Sequence, residues 1–92
     1  MRESTIEAYL VREVAKRGGI AEKFSSPGRR HVPDRIVLWP ERMPHFIELK
    51  APGKNPTPGQ LRDHQRRRAM GLIVRVLDSI EAVDKYIAAY GP

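Results

Sequence analysis

Two apolar segments, each with charged residues at one end, are the feature that most constrains the fold. Asp34 precedes the apolar run 35–39, and the segment 45–51 carries Glu48 and Lys50 near its end. A short stretch with two prolines separates the segments, so the pattern predicts an antiparallel hairpin. In such a hairpin the start of the first strand lies beside the end of the second. We therefore expect the two carboxylates to lie close together.

The alternation of side chains along a strand indicates how the second segment is oriented. Glu48 and Lys50 share one face with Phe46, whereas Ile47 and Leu49 occupy the other. We expect the face of Ile47 and Leu49 to pack and the opposite face to carry charge. Taken singly, these charged residues are ordinary surface features. Their convergence at one end of a hairpin favours a functional site.

Two further segments precede the hairpin. An apolar stripe at helical spacing predicts a first helix, with Ser4 and Glu7 as a capping box at its start. The glycines at positions 18–19 end it, and residues 20–24 are typical of a short strand. A loop with basic side chains then leads to the hairpin.

The second half of the chain alternates helix and strand. Thr57 is a typical N-cap for a second helix that runs to about Met70, and the β-branched segment 72–77 predicts a fourth strand. Asp78 and Glu81 resemble the capping pair of a third helix. The predicted order is helix, three strands, helix, strand, helix, which indicates an α/β fold.

Length and charge narrow the possible partners. A chain of 92 residues predicts one domain, residues 1–92, with a core small enough that self-association would add stability. The net charge of +6 indicates a polyanionic partner, nucleic acid first. No apolar run is long enough to suggest a membrane partner, and the chain has no cysteine and no secretory apolar region near Met1. We expect an intracellular protein.

Two carboxylates beside an amine suit metal-assisted phosphodiester hydrolysis. Mg²⁺ prefers oxygen ligands and keeps several waters, so Asp34 and Glu48 are sufficient as its protein ligands. Lys50 would orient the attacking water or help to deprotonate it. Its positive charge also favours the ionised forms of both carboxylates.

Three short motifs, in this order along the chain, resemble those of the PD-(D/E)XK nuclease superfamily: Pro33-Asp34, Glu48-Leu49-Lys50 and Gln60. The small size and the segment 53–60 look most like the VRR-NUC branch of that superfamily. The resemblance implies a restriction endonuclease-like α-β-β-β-α-β core with a C-terminal helix. It also implies DNA cleavage with Mg²⁺ as cofactor and Mn²⁺ as the alternative.

The resemblance adds two residues to the site. In the VRR-NUC branch a glutamate of the first helix joins the metal site, which here implies Glu7, although Glu3 and Glu13 share that helix. A glutamine after the catalytic strand positions substrate or water, which implies Gln60. For both Glu7 and Gln60, local helix capping is as good an explanation as a role in the site. We expect the capping role and the site role to compete.

Basic residues in loops and in the second helix are candidates for phosphate contacts. A merely solvated role is as good an explanation for each of them. The three histidines lack the spacing of metal ligands, so we expect surface or core positions for them. The candidate phosphate contacts are Arg29, Arg30, Lys54, Arg66, Arg67 and Arg68.

These features predict a metal-dependent endonuclease, with a non-catalytic nucleic-acid binding module on the same fold as the alternative. Stand-alone members of the branch look like Holliday junction resolvases, which implies a homodimer acting on branched DNA such as four-way junctions. Apolar residues of the third helix, or the strand of Trp39, are candidates for the dimer interface. The helix residues are Ile80, Val83, Ile87 and Tyr90.

Overall fold

Seven elements follow one another in the predicted order in the computed structural model, which describes residues 1–92. The mixed α/β class and the order of elements confirm the restriction endonuclease-like core with a C-terminal helix. The elements are α1 (Glu3–Lys16), β1 (Ile20–Lys23), β2 (Arg35–Leu38), β3 (His45–Leu49), α2 (Pro58–Ala69), β4 (Ile73–Leu77) and α3 (Ile80–Tyr90).

The four strands form one sheet in the order β1-β2-β3-β4. β1 and β2 are antiparallel, and so are β2 and β3, in which Arg35 lies opposite Ile47. This confirms the predicted hairpin. β4 runs parallel to β3, with α2 as the connection between them. The start of β2 and the end of β3 therefore lie at the same end of the sheet.

Helices cover both faces of the sheet. α1 and α3 pack on the face that carries Ile47 and Leu49, and their apolar side chains join the main core. Three residues expected at a dimer interface, Trp39, Val83 and Ile87, belong to this core and are almost fully buried. That expectation was wrong for these residues, because they bury their apolar surface within their own chain.

Every residue of β3 is buried, so the face that carries the charge of Glu48 is covered as well as the apolar face. Glu48 is 2 % exposed because α2 lies over that face, where Gln60 and His64 contact it. Alternation along the strand identifies the polar face correctly. The alternation does not reveal that a later helix, α2, covers this polar face.

Helix α2 begins as predicted, whereas α1 and α3 do not. Thr57 caps α2, and Pro58 is its first residue. In α1, Ser4 is the second helical residue and the N-cap position has no side-chain hydrogen bond, so the predicted capping box is absent. In α3, Ser79 rather than Asp78 is the N-cap, and its hydroxyl accepts a hydrogen bond from Ala82 N at 2.9 Å. The helix starts therefore differ from the prediction by two residues in α1 and by one in α3, which is the usual uncertainty of a helix boundary.

A buried polar network ties β3 to α3. Trp39 Nε1 donates to the Tyr86 hydroxyl at 3.0 Å, and this hydroxyl lies 2.7 Å from His45 Nδ1, to which it can donate its own proton. Burial lowers the pKa of His45, and the charges of Arg75 and Arg42 lower it further. Burial also raises the pKa of Tyr86 to about 12. A neutral imidazole and a protonated phenol fit this network.

None of the three helices combines the length and the apolar composition needed to cross a bilayer.

Candidate active site

The hairpin brings two carboxylates together at the end of β3. Asp34 directly precedes β2, and its Oδ2 accepts a hydrogen bond from Leu49 N at 2.7 Å. This bond fixes the carboxylate of Asp34 beside that of Glu48. The backbone N–H of Lys50 donates to Leu77 O of β4 at 3.0 Å, so the strand pairing also holds the residue that follows.

The two carboxylate oxygens of Glu48 have different surroundings. Its Oε2 accepts from Gln60 Nε2 at 3.1 Å and lies 3.9 Å from Lys50 Nζ. Its Oε1 is buried, has no hydrogen-bond partner, and faces His64 Nε2 at 3.7 Å. The Glu48 carboxylate is therefore held from one side by an amide and an amine, and retains unused acceptor capacity on the other oxygen.

Burial raises the pKa of Glu48 to about 8, and the negative charge of Asp34 contributes to the increase. Lys50 opposes this shift, whereas the charge of Glu3 at the start of α1 adds to it. Two carboxylates that repel each other in a buried site are typical of a cation-binding site, because a cation removes the repulsion.

Gln60 caps helix α2 and also contacts Glu48, so capping does not exclude contact with the candidate site. Its Oε1 accepts from Thr57 N at 2.9 Å, and its backbone N–H donates to Thr57 Oγ1 at 3.2 Å, which completes a capping box. Its Nε2 remains free to donate to Glu48. The two ends of one amide therefore connect the start of α2 to the candidate active site.

The structure does not bring Glu7 to Asp34 and Glu48. Glu7 Oε2 lies 2.8 Å from Arg35 Nε and 3.3 Å from Lys23 Nζ. Burial acts to raise the pKa of Glu7, but hydrogen bonds from these two cations outweigh burial and lower it. The glutamate of α1 whose charge acts on Glu48 is Glu3, one helical turn before Glu7.

The loop before Asp34 is attached to the start of α2. His31 has a positive φ of 67°, and its imidazole packs against Gly59. A Cβ at Gly59 would lie 2.8 Å from His31 Cδ2 and Nε2, so only glycine allows this approach. The contact places the basic loop next to Gln60.

The predicted phosphate contacts fall into two groups. Arg29, Arg30 and Lys54 are exposed and form no ion pair, and they lie in the two loops that lead to β2 and α2. The side chains of the other three arginines have partners within the chain. Arg66 and Arg67 both bind Asp63, the Arg67 guanidinium also lies over the Phe24 and Phe46 rings, and Arg68 donates to Val74 O at 2.7 Å.

Comparison with known proteins places this geometry in a family. The chain is 60 % identical over 79 residues to "Putative nuclease p44" of Acyrthosiphon pisum secondary endosymbiont phage 1. The matched segment covers 86 % of this chain and 85 % of the relative. A solved structure described as "VRR_NUC domain" has a TM-score of 0.90 and 34 % identity, covering 98 % of this chain and 99 % of its own. The chain belongs to the VRR-NUC family. No protein-family model matches it.

One polar residue that faces Glu48 in this VRR-NUC site was not assigned from the sequence. His64 follows Gln60 by one helical turn and therefore shares its face of α2, which is a signal that could have identified it. Helical spacing from an assigned residue is thus the missing criterion.

The residues of this VRR-NUC site fit a hard divalent cation. No group of three His, Cys, Asp or Glu side chains is arranged to hold a metal ion. Mg²⁺, however, keeps several waters and needs only one or two protein carboxylates. Asp34 and Glu48 provide these, and the buried Oε1 of Glu48 has no hydrogen-bond partner. The oxygen donors suit Mg²⁺ or Mn²⁺ rather than a soft metal.

Proposed function

We propose that this protein is a Mg²⁺-dependent endonuclease that hydrolyses phosphodiester bonds of DNA, with Mn²⁺ as a possible substitute. The observation that carries the proposal is the pairing of Asp34 with Glu48 beside Lys50, whose Nζ lies 3.9 Å from Glu48 Oε2. The family membership and the nuclease name of the relative from the phage support it. A basic chain with a net charge of +6 suits a DNA substrate.

Each residue of the site has a chemical role in this proposal. Asp34 and Glu48 would hold the cation, which supplies charge neutralisation at the phosphate and a more acidic water. Lys50 orients the attacking water and lends positive charge to the phosphate. Gln60 holds the carboxylate of Glu48 in place through its amide. The water adds its hydroxyl to phosphorus, and the departing oxygen takes up a proton.

Glu3 is the better candidate than Glu7 for a third carboxylate. Glu7 is neutralised by Arg35 and Lys23, whereas the charge of Glu3 acts on Glu48. The two variants Glu3→Ala and Glu7→Ala compare these roles directly. Glu3→Ala should weaken Mg²⁺-dependent cleavage at unchanged stability, and Glu7→Ala should lower stability with little effect on cleavage. The reverse result would return the role to Glu7.

Exposed cations around the site would bind the DNA backbone. Arg29, Arg30 and Lys54 have no ion-pair partner within the chain and flank the end of the sheet where Glu48 lies. Of the two candidate arginines that bind Asp63, Arg66 is the more exposed, at 44 % of its side chain against 15 % for Arg67. Arg67 and Arg68 would have to leave their internal partners in order to bind phosphate fully.

Cleavage of a labelled DNA with and without Mg²⁺ tests the proposal. Glu48→Ala and Lys50→Ala should abolish cleavage while leaving the fold and much of the DNA affinity. Glu81→Ala, which removes an exposed carboxylate at the start of α3, is the control and should cleave normally. Ca²⁺ should support binding with little cleavage, because its looser coordination activates water poorly. DNA binding without cleavage in any metal would favour the non-catalytic module.

We also propose that the protein acts as a homodimer on four-way junctions. Each chain has one candidate site, and paired cuts across a junction need two. The interface must use surface other than Trp39, Val83 and Ile87, which are buried. Light scattering should give twice the chain mass, and a junction should be cut at symmetric positions. A monomer that nicks linear duplex as readily as a junction would contradict this proposal.

A further inference from the structure

The buried side-chain atoms that lack a hydrogen-bond partner all lie at one point in the fold. They are Glu48 Oε1 and the two ring nitrogens of His64. His64 is 0 % exposed, and its Nε2 is 3.7 Å from Glu48 Oε1. The polar atoms elsewhere in the interior, including those of the equally buried Asp63, have partners.

Such a concentration of unpartnered atoms indicates function, because buried polar groups are nearly always hydrogen-bonded and leaving one unpaired costs folding free energy. An apolar side chain at position 64 would avoid that cost. Gln60, one turn earlier on the same face of α2, already bonds the other oxygen of Glu48. The helix therefore presents two polar side chains to the two oxygens of one carboxylate.

We propose that His64 is a positioning residue that donates its Nε2–H to Glu48 Oε1 when Glu48 holds the cation. The inference rests on the proposed function. Oε1 needs to approach by less than about 1 Å to reach hydrogen-bond distance. Residues that hold a metal ligand in this way commonly fix its orientation and raise the metal affinity.

The side of the ring that carries the proton follows from the geometry. When Glu48 holds the cation it is ionised, so a carboxylate oxygen faces Nε2. No acceptor lies within hydrogen-bond distance of Nδ1, and Nε2 is therefore the favoured position for the proton. A cationic imidazole would carry a proton at Nε2 as well. The positioning role is therefore the same in both charge states of His64.

Three variants separate donation from packing. His64→Phe keeps an aromatic ring but removes the donor, and His64→Leu removes it with a smaller side chain in case Phe does not fit. His64→Gln restores an N–H on a side chain of similar reach. His45→Phe is the matched control, because His45 is also buried but bonds Tyr86 instead of the site.

The measurement is the Mg²⁺ affinity of the DNA-free protein, obtained from thermal unfolding in a series of MgCl₂ concentrations. His64→Phe or His64→Leu should weaken Mg²⁺ binding by about 10- to 100-fold, as the loss of a partner of a metal ligand does. His64→Gln should recover most of that loss, and His45→Phe should bind Mg²⁺ like the wild type. The cleavage rate at limiting Mg²⁺ should follow the same order.

Two results would overturn the inference while leaving the proposed function intact. In one, the donor-less variants bind Mg²⁺ as tightly as the wild type, which reduces His64 to a packing residue. In the other, His64→Gln folds and binds Mg²⁺ no better than His64→Phe, which excludes donation as the relevant property. If the wild type itself shows neither Mg²⁺-dependent stabilisation nor Mg²⁺-dependent cleavage, the proposed function and this inference both fail.

Discussion

The two ends of the Gln60 amide allow the contribution of helix capping to be separated from that of the active site. Thr57→Ala removes one of the two capping hydrogen bonds, and Gln60→Ala removes the other together with the bond to Glu48. Loss of one capping bond costs about 1 kcal/mol, which lowers the unfolding temperature by roughly 4–8 °C for a chain of this size. With Mg²⁺ bound and Glu48 therefore ionised, loss of the bond between Gln60 and Glu48 adds about 1.5–3 kcal/mol in Gln60→Ala.

Activity should separate the two variants more clearly than stability does. If the bond between Gln60 and Glu48 is needed in the transition state, its loss slows cleavage by roughly 10- to 150-fold, since each 1.36 kcal/mol is a factor of ten in rate. Thr57→Ala keeps that bond and should cleave at the wild-type rate wherever it is folded. The assay pairs urea unfolding with single-turnover cleavage of a four-way junction at 25 °C and saturating Mg²⁺.

The refuting result is specific. If Gln60→Ala is folded at the assay temperature and cleaves within about threefold of Thr57→Ala, the amide of Gln60 is a helix cap and nothing more. A reduced rate in both variants would indicate instead that cleavage depends on the position of the first turn of α2, which both capping bonds hold.

Three further outcomes are expected. Tyr86→Phe leaves a buried indole N–H and a buried imidazole nitrogen without partners, and should lower the free energy of unfolding in urea by roughly 2–4 kcal/mol. The Tyr90 hydroxyl contacts an exposed arginine, so Tyr90→Phe should lower it by less than about 1 kcal/mol. Burial lowers the pKa of His45, so the unfolded chain binds a proton more readily than the folded one. Relative to His45→Phe, the free energy of unfolding of the wild type should fall as the pH drops below about 6.5, and an unchanged difference between the two proteins would exclude this cause. DNA affinity should fall as the salt concentration rises, and Arg29→Ala should make the slope of log K against log salt shallower by about 0.9. Lys16→Ala, which removes a cation paired with Glu13, is the control and should leave that slope unchanged.

The sequence predicts the order of elements because the signals are local. The prolines between the apolar runs, the Thr57 cap and the glycines after α1 each act within a few residues, and the structure has the elements they indicate. The predicted N-cap of α3 was wrong because Asp78 and Ser79, at neighbouring positions, are both good N-caps, whereas α1 begins after Arg2 without any side-chain cap. Ser79 replaces Asp78 by a shift of one residue.

Predicting the site required knowing which helix covers which face of the sheet. The hairpin alone places Asp34 beside Glu48, since both belong to consecutive strands. That α2 buries Glu48 and brings His64 against it depends on the connection between β3 and β4, which no local pattern reveals. The ion pair of Glu7 could not be predicted from local patterns either, because its partner Arg35 is 28 residues away in the sequence.

Two arginines that donate to β4, the outer strand of the sheet, affect how copies of this chain can associate. β4 is an edge of the sheet, and a strand edge with free carbonyl groups invites a strand from another molecule. The side chains of Arg68 and Arg75 both donate to Val74 O and place positive charge along that edge. They therefore protect the protein from aggregation by strand addition, and direct any two-fold association to a surface formed by side chains rather than to a continuous sheet.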